Sequence, residues 1–375
     1  RSKEIIDLFN KNKIATELFI SKDRYNEIKS KFGVPEKDDM LLTSVGSIGI
    51  PYLVKSSDKF YFKDGNLTWF RNYNRKLIVP LYLYLWTTSS VGKETLMRLS
   101  MGAAQPALTI SRLKNLSLNL PSVSVQQKIA SILSAYDRLI ENNTRRIRLL
   151  EQMAENLYKE WFIRFRFPEH ENVEMVNGLP KGWERTKLIK NIKTSSGGTP
   201  SRNKSEYYKN GDIPWIKTGE LQDCILINTE ECITEDAVNN SSAKIFPKGT
   251  LLMAMYGVNV GKLGISEIEA TCNQACCVFT PKHIDYKYYL FHYFKSIREY
   301  LLSISFGAAQ QNLSQELIKS IKVLFPDEKT NISFVKEVEP LFREISIIQQ
   351  QNQLLTRQRD LLLPRLMSGK LEVKS

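Results

Sequence analysis

Apolar residues recur at alternating intervals of four and three along two stretches of the chain. Ile129, Leu133, Tyr136, Ile140, Asn143, Ile147, Leu150, Ala154, Leu157 and Trp161 hold this spacing in the first. Phe334, Val338, Leu341, Ile345, Ile348, Asn352, Leu355, Arg359, Leu362 and Leu366 hold it in the second. A repeat of 3.5 residues lays one stripe along an α-helix and makes a coiled-coil seam. The remaining faces are polar, with Arg145, Arg146 and Arg148 clustered on the first helix and Gln349, Gln350, Gln351 and Gln353 on the second. Elsewhere the pattern changes to short β-branched and aromatic runs broken by Gly, Asn and Pro, as between Gly249 and Gly264. Such runs predict strands and tight turns. Pro340 and Pro364 are expected to bound the second helix, because an interior proline removes a hydrogen bond and clashes with the preceding turn.

The pattern is duplicated. Met101-Gly-Ala-Ala-Gln-Pro-Ala-Leu returns 205 residues later as Phe306-Gly-Ala-Ala-Gln-Gln-Asn-Leu. The same offset carries Tyr84-Leu85 onto Tyr289-Leu290, Pro121 onto Pro326 and Leu149-Leu150 onto Leu354-Leu355. Upstream, with small gaps, Leu41-Leu42 and Ser47-Ile48-Gly49 resemble Leu251-Leu252 and Asn259-Val260-Gly261. Each copy reads as a globular unit followed by a helical one. The first copy has no counterpart to the stretch from Leu179 to about Asn210, so it is read as lacking roughly 30 N-terminal residues of its unit.

The two asparagines fix how the seams pair. With the ten seam positions of each helix counted from the N-terminal end, Asn143 is fifth and Asn352 sixth. An antiparallel register sets them in one layer, with Ile140 facing Leu355, Leu150 facing Ile345, and Tyr136 against Arg359. A parallel register leaves two buried amides unmatched, at about 1–3 kcal/mol each. The antiparallel arrangement is therefore expected.

Charge indicates the partner. The chain of 375 residues carries 53 Lys+Arg against 40 Asp+Glu, a formal net charge of +13. The excess lies in residues 1–120, net +8, and 179–325, net +4, while the helical stretches are close to neutral. Two basic globular units suggest a polyanion such as nucleic acid. The part of the second helix between its prolines would be roughly 36 Å long at about 1.5 Å per residue. One turn of B-DNA is about 34–36 Å, so such a rod would hold two reading heads about one helical turn apart. No apolar stretch is long enough to span a bilayer, and no secretory apolar core opens the chain. Five scattered cysteines suit reduced thiols in a cytoplasm.

Enzyme motifs are missing. No two glycines stand at i and i+2, which removes the Gly-x-Gly nucleotide turn. No Pro-Pro dipeptide is present for an Asn/Asp-Pro-Pro-aromatic methyltransferase loop. Gly257-Val-Asn-Val-Gly-Lys262 is one residue short of a phosphate loop and continues with Leu263. Pro326-Asp327 and Glu372-Val-Lys374 imitate a nuclease set, but a helix separates them. The cysteines lack C-x2-C pairs, and His283 and His292 sit among Tyr and Phe, which reads as core packing. No catalytic residue and no metal ligand is assigned.

A two-headed basic protein with these features resembles the specificity subunit of type I restriction–modification enzymes. The resemblance rests on Leu179-Pro-Lys-Gly-Trp-Glu, Gly198-Thr-Pro-Ser-Arg202, Gly211-Asp-Ile-Pro-Trp-Ile-Lys217, the two Gly-Ala-Ala-Gln segments, and the ending Leu361-Leu-Leu-Pro-Arg-Leu-Met-Ser-Gly-Lys-Leu-Glu-Val373. It covers nearly the whole chain, although the first unit lacks the Gly-x-Thr-Pro and Ile-Pro-Trp segments. It implies an α+β fold of two mixed α/β target-recognition domains in a pseudo-twofold repeat, joined by two long helices in an antiparallel coiled coil. The domains would be residues 1–121, N-terminally incomplete, and 179–326. Residues 122–178 would form the first spacer helix and linker, and 327–375 the second spacer helix. Each domain would read one half of a split site in double-stranded DNA. The helices would dock two methyltransferase subunits, and restriction motor–nuclease subunits would join them. S-adenosylmethionine, ATP and Mg would belong to those partners and not to this chain.

Because the two half-sites differ, base readout is expected where the copies differ. Arg202, Lys204 and Lys217 are candidates for phosphates, or for guanine in the case of Arg. Tyr256, Asn259 and Lys262 sit on a glycine-punctuated turn suited to a groove. Ser44, Ser47, Lys55 and Lys59 are the first unit's candidates. Shared residues such as Gly102, Gly307, Gln105 and Gln310 are read as scaffold. Three alternatives stay open at this point. They are a lone methyltransferase or nuclease, a stand-alone coiled-coil DNA-binding regulator, and a scaffold that binds no DNA.

Overall fold

The computed structural model describes residues 19–62, 65–101, 106–305 and 312–373. The Gly-Ala-Ala-Gln segments, with Gly102, Gln105, Gly307 and Gln310, lie outside the described residues. The chain forms two compact units, residues 1–141 with 353–375, and residues 142–352.

Among the described residues the first element of the first unit is helix α1 (Lys22–Phe32), whose first turn is capped by Ser21 Oγ accepting from Arg24 N. Strands β1 (Met40–Thr43), β2 (Pro51–Leu53) and β3 (Leu67–Phe70) form an antiparallel sheet in the order β2-β1-β3. Every residue of the central strand is buried. Its alternation divides the core in two, Leu41 packing with Tyr52 and Val54 and Leu42 with Leu96 and Leu108. Helix α2 (Pro80–Thr88) starts on a proline, whose fixed φ and missing N–H suit a first turn. It meets α3 (Ser90–Ser100) at a sharp corner. There Gly92 lies so close to the Trp86 carbonyl that a Cβ would sit 1.9 Å from it. The short α4 (Ile110–Lys114) leads into α5 (Val123–Tyr158), which runs on into the second unit.

The second unit continues with the hairpin β4 (Met175–Val176) and β5 (Leu179–Pro180), then β6 (Glu184–Lys187), β7 (Ile192–Ser196), β8 (Ile213–Ile216), β9 (Cys224–Leu226) and β10 (Cys232–Ile233). Helix α6 (Glu235–Asn239) precedes β11 (Thr250–Ala254), β12 (Leu263–Ser266), β13 (Thr271–Cys272) and β14 (Cys276–Pro281). Helices α7 (Lys287–Ser296), α8 (Arg298–Ser305) and α9 (Gln315–Ser320), strand β15 (Lys322–Phe325) and helix α10 (Glu328–Met367) complete the order. The main sheet is β7-β14-β11-β12-β9, beside a three-stranded β10-β8-β13 and the pair β15-β6. Strand β11 is the buried centre. Leu251 and Met253 face the large aromatic core, and Leu252 and Ala254 face a smaller one with Ile216 and Phe246.

The duplication is visible in the strand pairing. Strand β11 lies between β12 and β14, antiparallel to both, as β1 lies between β2 and β3. In the first unit Leu108 N donates to Ser44 O at 2.9 Å, and in the second Leu313 N donates to Met255 O at 2.9 Å. Isolated bridges Val45 to Ala107 and Tyr256 to Asn312 sit beside these bonds. The second unit adds outer strands β7 and β9.

The seam residues of both helices are all buried or half-buried. In the first unit Ile129, Ala130 and Leu133 pack with Leu362, Leu363 and Leu366. In the second, Asn143 Nδ2 donates to Asn352 Oδ1 at 2.9 Å, and the rings of Trp161 and Phe334 lie 5.7 Å apart. Ascending numbers on α5 meet descending numbers on α10, so the helices are antiparallel. Arg146 adds an ion pair to Glu344 at 2.7 Å. Arg359 departs from the expected contact with Tyr136. Its guanidinium binds Asp137 at 2.7 Å and Asp360 at 2.8 Å, because carboxylates within reach hold it more strongly than a ring face.

The prolines do not end the second helix. Helix α10 runs for 40 residues through both Pro340 and Pro364, and α5 for 36. At about 1.5 Å per residue these are roughly 60 and 54 Å, not 36 Å. The carbonyls left without partners belong to Lys336 and Asp360, both exposed, so water can serve them. An interior proline costs about 3 kcal/mol. Phe334, Val338, Phe342 and Ile345 are buried around Pro340, at about 1.5–3 kcal/mol each, and outweigh that loss. No described helix is long and apolar enough to cross a membrane.

Candidate nucleic-acid interface

Two glycines build the platform of the second unit. A Cβ on Gly197 would lie 1.9 Å from the Cys272 carbonyl oxygen, and one on Gly198 would lie 2.4 Å from Ala243 N. Only glycine lets the chain thread between these backbones. Trp215, buried on β8, then donates Nε1–H to the Gly198 carbonyl at 3.0 Å. This fixes the segment that carries Arg202. The guanidinium stacks 4.2 Å from the Tyr208 ring centre and 5.0 Å from that of Trp215, and pairs with Glu231 at 2.8 Å.

Glu231 also accepts from Lys217 at 3.1 Å, and Lys217 reaches Glu230 at 2.8 Å. The Arg202 guanidinium, followed by Lys217, holds the Glu231 carboxyl below its ordinary range, despite opposing burial. Hydrogen bonding to Glu230 raises the Lys217 ammonium. Arg202 and Lys217 are therefore held by carboxylates. Lys204 donates to the Tyr207 hydroxyl at 2.8 Å and stays exposed.

Lys217 leads into a short 3₁₀ turn, Thr218–Glu220, which touches a second one, Gly257–Asn259. Asn259 joins them. Its buried Nδ2 donates to the carbonyls of Thr218 at 2.9 Å and Gly219 at 3.3 Å. The side chain chosen for a groove thus points inward and clamps the turn. Gly257 at φ +79° and Gly261 at φ +75° shape its two sides. What the turn presents to solvent is Val258, 99% exposed, with Tyr256 beside it at 39%. Lys262 donates to Gln222 Oε1 at the base. Arg202, Lys217, Asn259 and Lys262 are thus linked through shared neighbours, and Val258 projects to solvent from the turn that Asn259 clamps.

The first unit has the corresponding turn between β1 and β2. Ser44 is buried, 2.5 Å from Thr68 Oγ1, and occupies the place of Met255, so it is scaffold. Ser47 is exposed at the tip, and its carbonyl accepts from Thr43 Oγ1. Gly46 at φ +79° and Gly49 at φ +83° flank it. Lys55 and Lys59 are not on this turn. They follow β2 and line a separate cleft.

Sequence reasoning did not single out Val258, because an isolated valine between glycine and asparagine carries no signal until its exposure is known. The motif residues turn out to be supports. Trp183 Nε1 donates to Asp327 Oδ2 at 3.0 Å, and Asp327 caps the first turn of α10 through Thr330 N at 3.0 Å. Among the described residues no cluster of His, Cys, Asp and Glu suited to a metal occurs.

Two copies of a strand core, each offering a glycine-flanked turn and each based on paired helices, define a two-headed recognition protein. The sequence matches the family described as type I restriction modification DNA specificity domain over residues 4–152 and 180–357. The chain belongs to this family. It is 29% identical over 347 residues to the type I restriction enzyme MjaIX specificity subunit of Methanocaldococcus jannaschii, covering 90% of this chain and 78% of that protein. It is 26% identical over 364 residues to the HindI specificity subunit of Haemophilus influenzae, covering 80% and 79%. The fold is shared with the crystal structure of the type I restriction–modification system S subunit from M. genitalium. The TM-score is 0.60 at 18% identity, over 92% of this chain and 86% of that one.

Proposed function

We infer that this chain is the DNA-reading subunit of a type I restriction–modification complex and that its two units read the two halves of a split, asymmetric site. The observation that carries this is the repeated strand core with unlike exposed tips, Ser47 on one and Val258 on the other. Equal frames with unequal tips suit two unequal half-sites. The tips make the base contacts and the surrounding cations contact phosphates, which position without specifying. The paired helices α5 and α10 carry the docking surface for two methyltransferase subunits, to which motor–nuclease subunits are added. The chain itself is not catalytic. S-adenosylmethionine, ATP and Mg act on the partners, and the complex works in the compartment that holds the cell's DNA.

The test is an exchange of residues 179–325 for the matching segment of a relative, with mapping of methylated adenines in cells carrying the complete system. One half of the recognised motif is expected to change and the other to persist. A change in both halves or in neither would overturn the two-head reading. Turnover of S-adenosylmethionine by the purified chain alone would overturn the non-catalytic one.

A further inference from the structure

Helix α1 turns an unusual face toward its own unit. Lys22, Tyr25, Asn26 and Lys29 stand at helical spacing, and all four line a cleft of about 1040 Å³. An apolar stripe is the ordinary choice for an inward face, and α1 buries none of its residues. Lys37, Lys55, Lys59 and Tyr61 line the same cleft. Five lysines thus line one concavity to which, among the described residues, only two carboxylates contribute, Glu36 and Asp58. Asp58 is already engaged, with Oδ2 accepting from the Tyr52 hydroxyl at 2.7 Å and from Lys55 N at 2.8 Å. Lys22, Lys29, Lys37 and Lys59 make no ion pair among the described residues. Arg202 and Lys217 of the second unit, by contrast, are neutralised by Glu230 and Glu231.

The cleft is also separate from the reading turn. Lys37 precedes β1, and Lys55 and Lys59 follow β2, so the cleft lies at the open end of the β1–β2 hairpin. The Ser47 turn closes the other end. Four residues of β1 at about 3.3 Å each put roughly 13 Å of strand between them. Like charges such as those of Lys22, Lys29, Lys37 and Lys59, gathered around one open space, repel unless an anion enters. Flexible ammonium groups beside the half-buried rings of Tyr25 and Tyr61 suit a chain of phosphates bearing bases.

We propose that this cleft binds a phosphodiester strand additional to the DNA read at the Ser47 turn. The proposal rests on the chain being a DNA-reading subunit. It assigns the first unit a second nucleic-acid contact that serves grip and not base choice.

The test uses the chain assembled with its methyltransferase subunits and saturated with unlabelled target duplex. Labelled oligothymidine is added in one arm and a labelled duplex lacking the target in another, with binding read by fluorescence anisotropy. At least one labelled strand is expected to bind while the target stays bound. K22Q/K29Q/K37Q/K59Q is expected to weaken that binding at least tenfold and to leave target affinity within about twofold. The two labelled arms separate the two sources, and binding in either arm is expected to weaken steeply with salt, as phosphate contacts release counterions. If the fourfold variant melts early, K22Q/K29Q and K37Q/K59Q carry the test separately. Absence of second-strand binding in both arms, or binding by the variant equal to wild type, would overturn the proposal. Failure to bind the target at all would instead overturn the DNA-reading assignment on which it rests.

Discussion

The side-chain amide of Asn143 donates to that of Asn352 at 2.9 Å, in the middle of a seam that is otherwise largely apolar. One polar layer of this kind fixes register at some cost in stability. Asn143→Leu alone strands the Asn352 amide and is expected to destabilise by about 1–3 kcal/mol. The double change Asn143→Leu with Asn352→Leu should restore most of that loss. Urea denaturation of the two variants checks both statements, and equal stability of the single variant and wild type would count against the layer.

His292 sits in the aromatic core of the second unit, stacked 5.5 Å from Tyr158, with neither ring nitrogen hydrogen-bonded. Burial, reinforced by Lys295, pushes its pKa down to about 3. The unfolded chain binds a proton near pH 6.5 that the folded chain refuses. Stability is therefore complete above about pH 6.5 and declines as pH falls toward 3, by up to about 1.4 kcal/mol per pH unit. His292→Phe should remove this part of the acid sensitivity. Melting temperatures of both proteins between pH 4 and 7 test it.

Gly198 has no room for a side chain, since a Cβ would lie 2.4 Å from backbone atoms on the facing segment. Gly198→Ala is expected to cost more than about 3 kcal/mol, at the severe end for a single change. It should disturb the second half-site while sparing the first. Methylation mapping with the variant reads that asymmetry.

Val258 is nearly free of protein contacts, so replacing it should leave the melting temperature within about 1 °C. An apolar side chain in the major groove recognises a thymine methyl group. Val258→Gly is therefore expected to relax one position of the second half-site by about fourfold, corresponding to roughly 0.8 kcal/mol for one buried methyl. Asn259→Ala removes the clamp between the two short turns and should weaken that whole half-site. Competition binding with single-base variants of the target separates the two effects.

The helix pair was the most legible part of the sequence, because a 3.5-residue repeat has one physical meaning and two asparagines out of step allow one direction of pairing. The duplication was legible from the shared offset. Helix length was misjudged because a proline's penalty is local, whereas Phe334, Val338 and Ile345 supply burial on both sides of it. The candidate reading residues were legible only as a neighbourhood. Polar type marked Asn259 and Ser44 as contacts, but burial turned both into supports. Val258 and the Lys22–Lys29 face became visible only when exposure and the cleft were known. Charge counting also could not tell neutralised cations such as Arg202 from those without a partner.

The first unit draws its base from the far end of the chain, where Leu362, Leu363 and Leu366 pack on Ile129 and Leu133. A ribosome completes residues 19–141 long before these leucines emerge. At about 5–20 residues per second, the gap is of the order of ten seconds or more. Through that interval the α5 stripe has no α10 to cover it. A premature stop after residue 352 would therefore damage the domain made first and spare most contacts of the one made last. In this protein, the order of synthesis and the order of structural completion run in opposite directions.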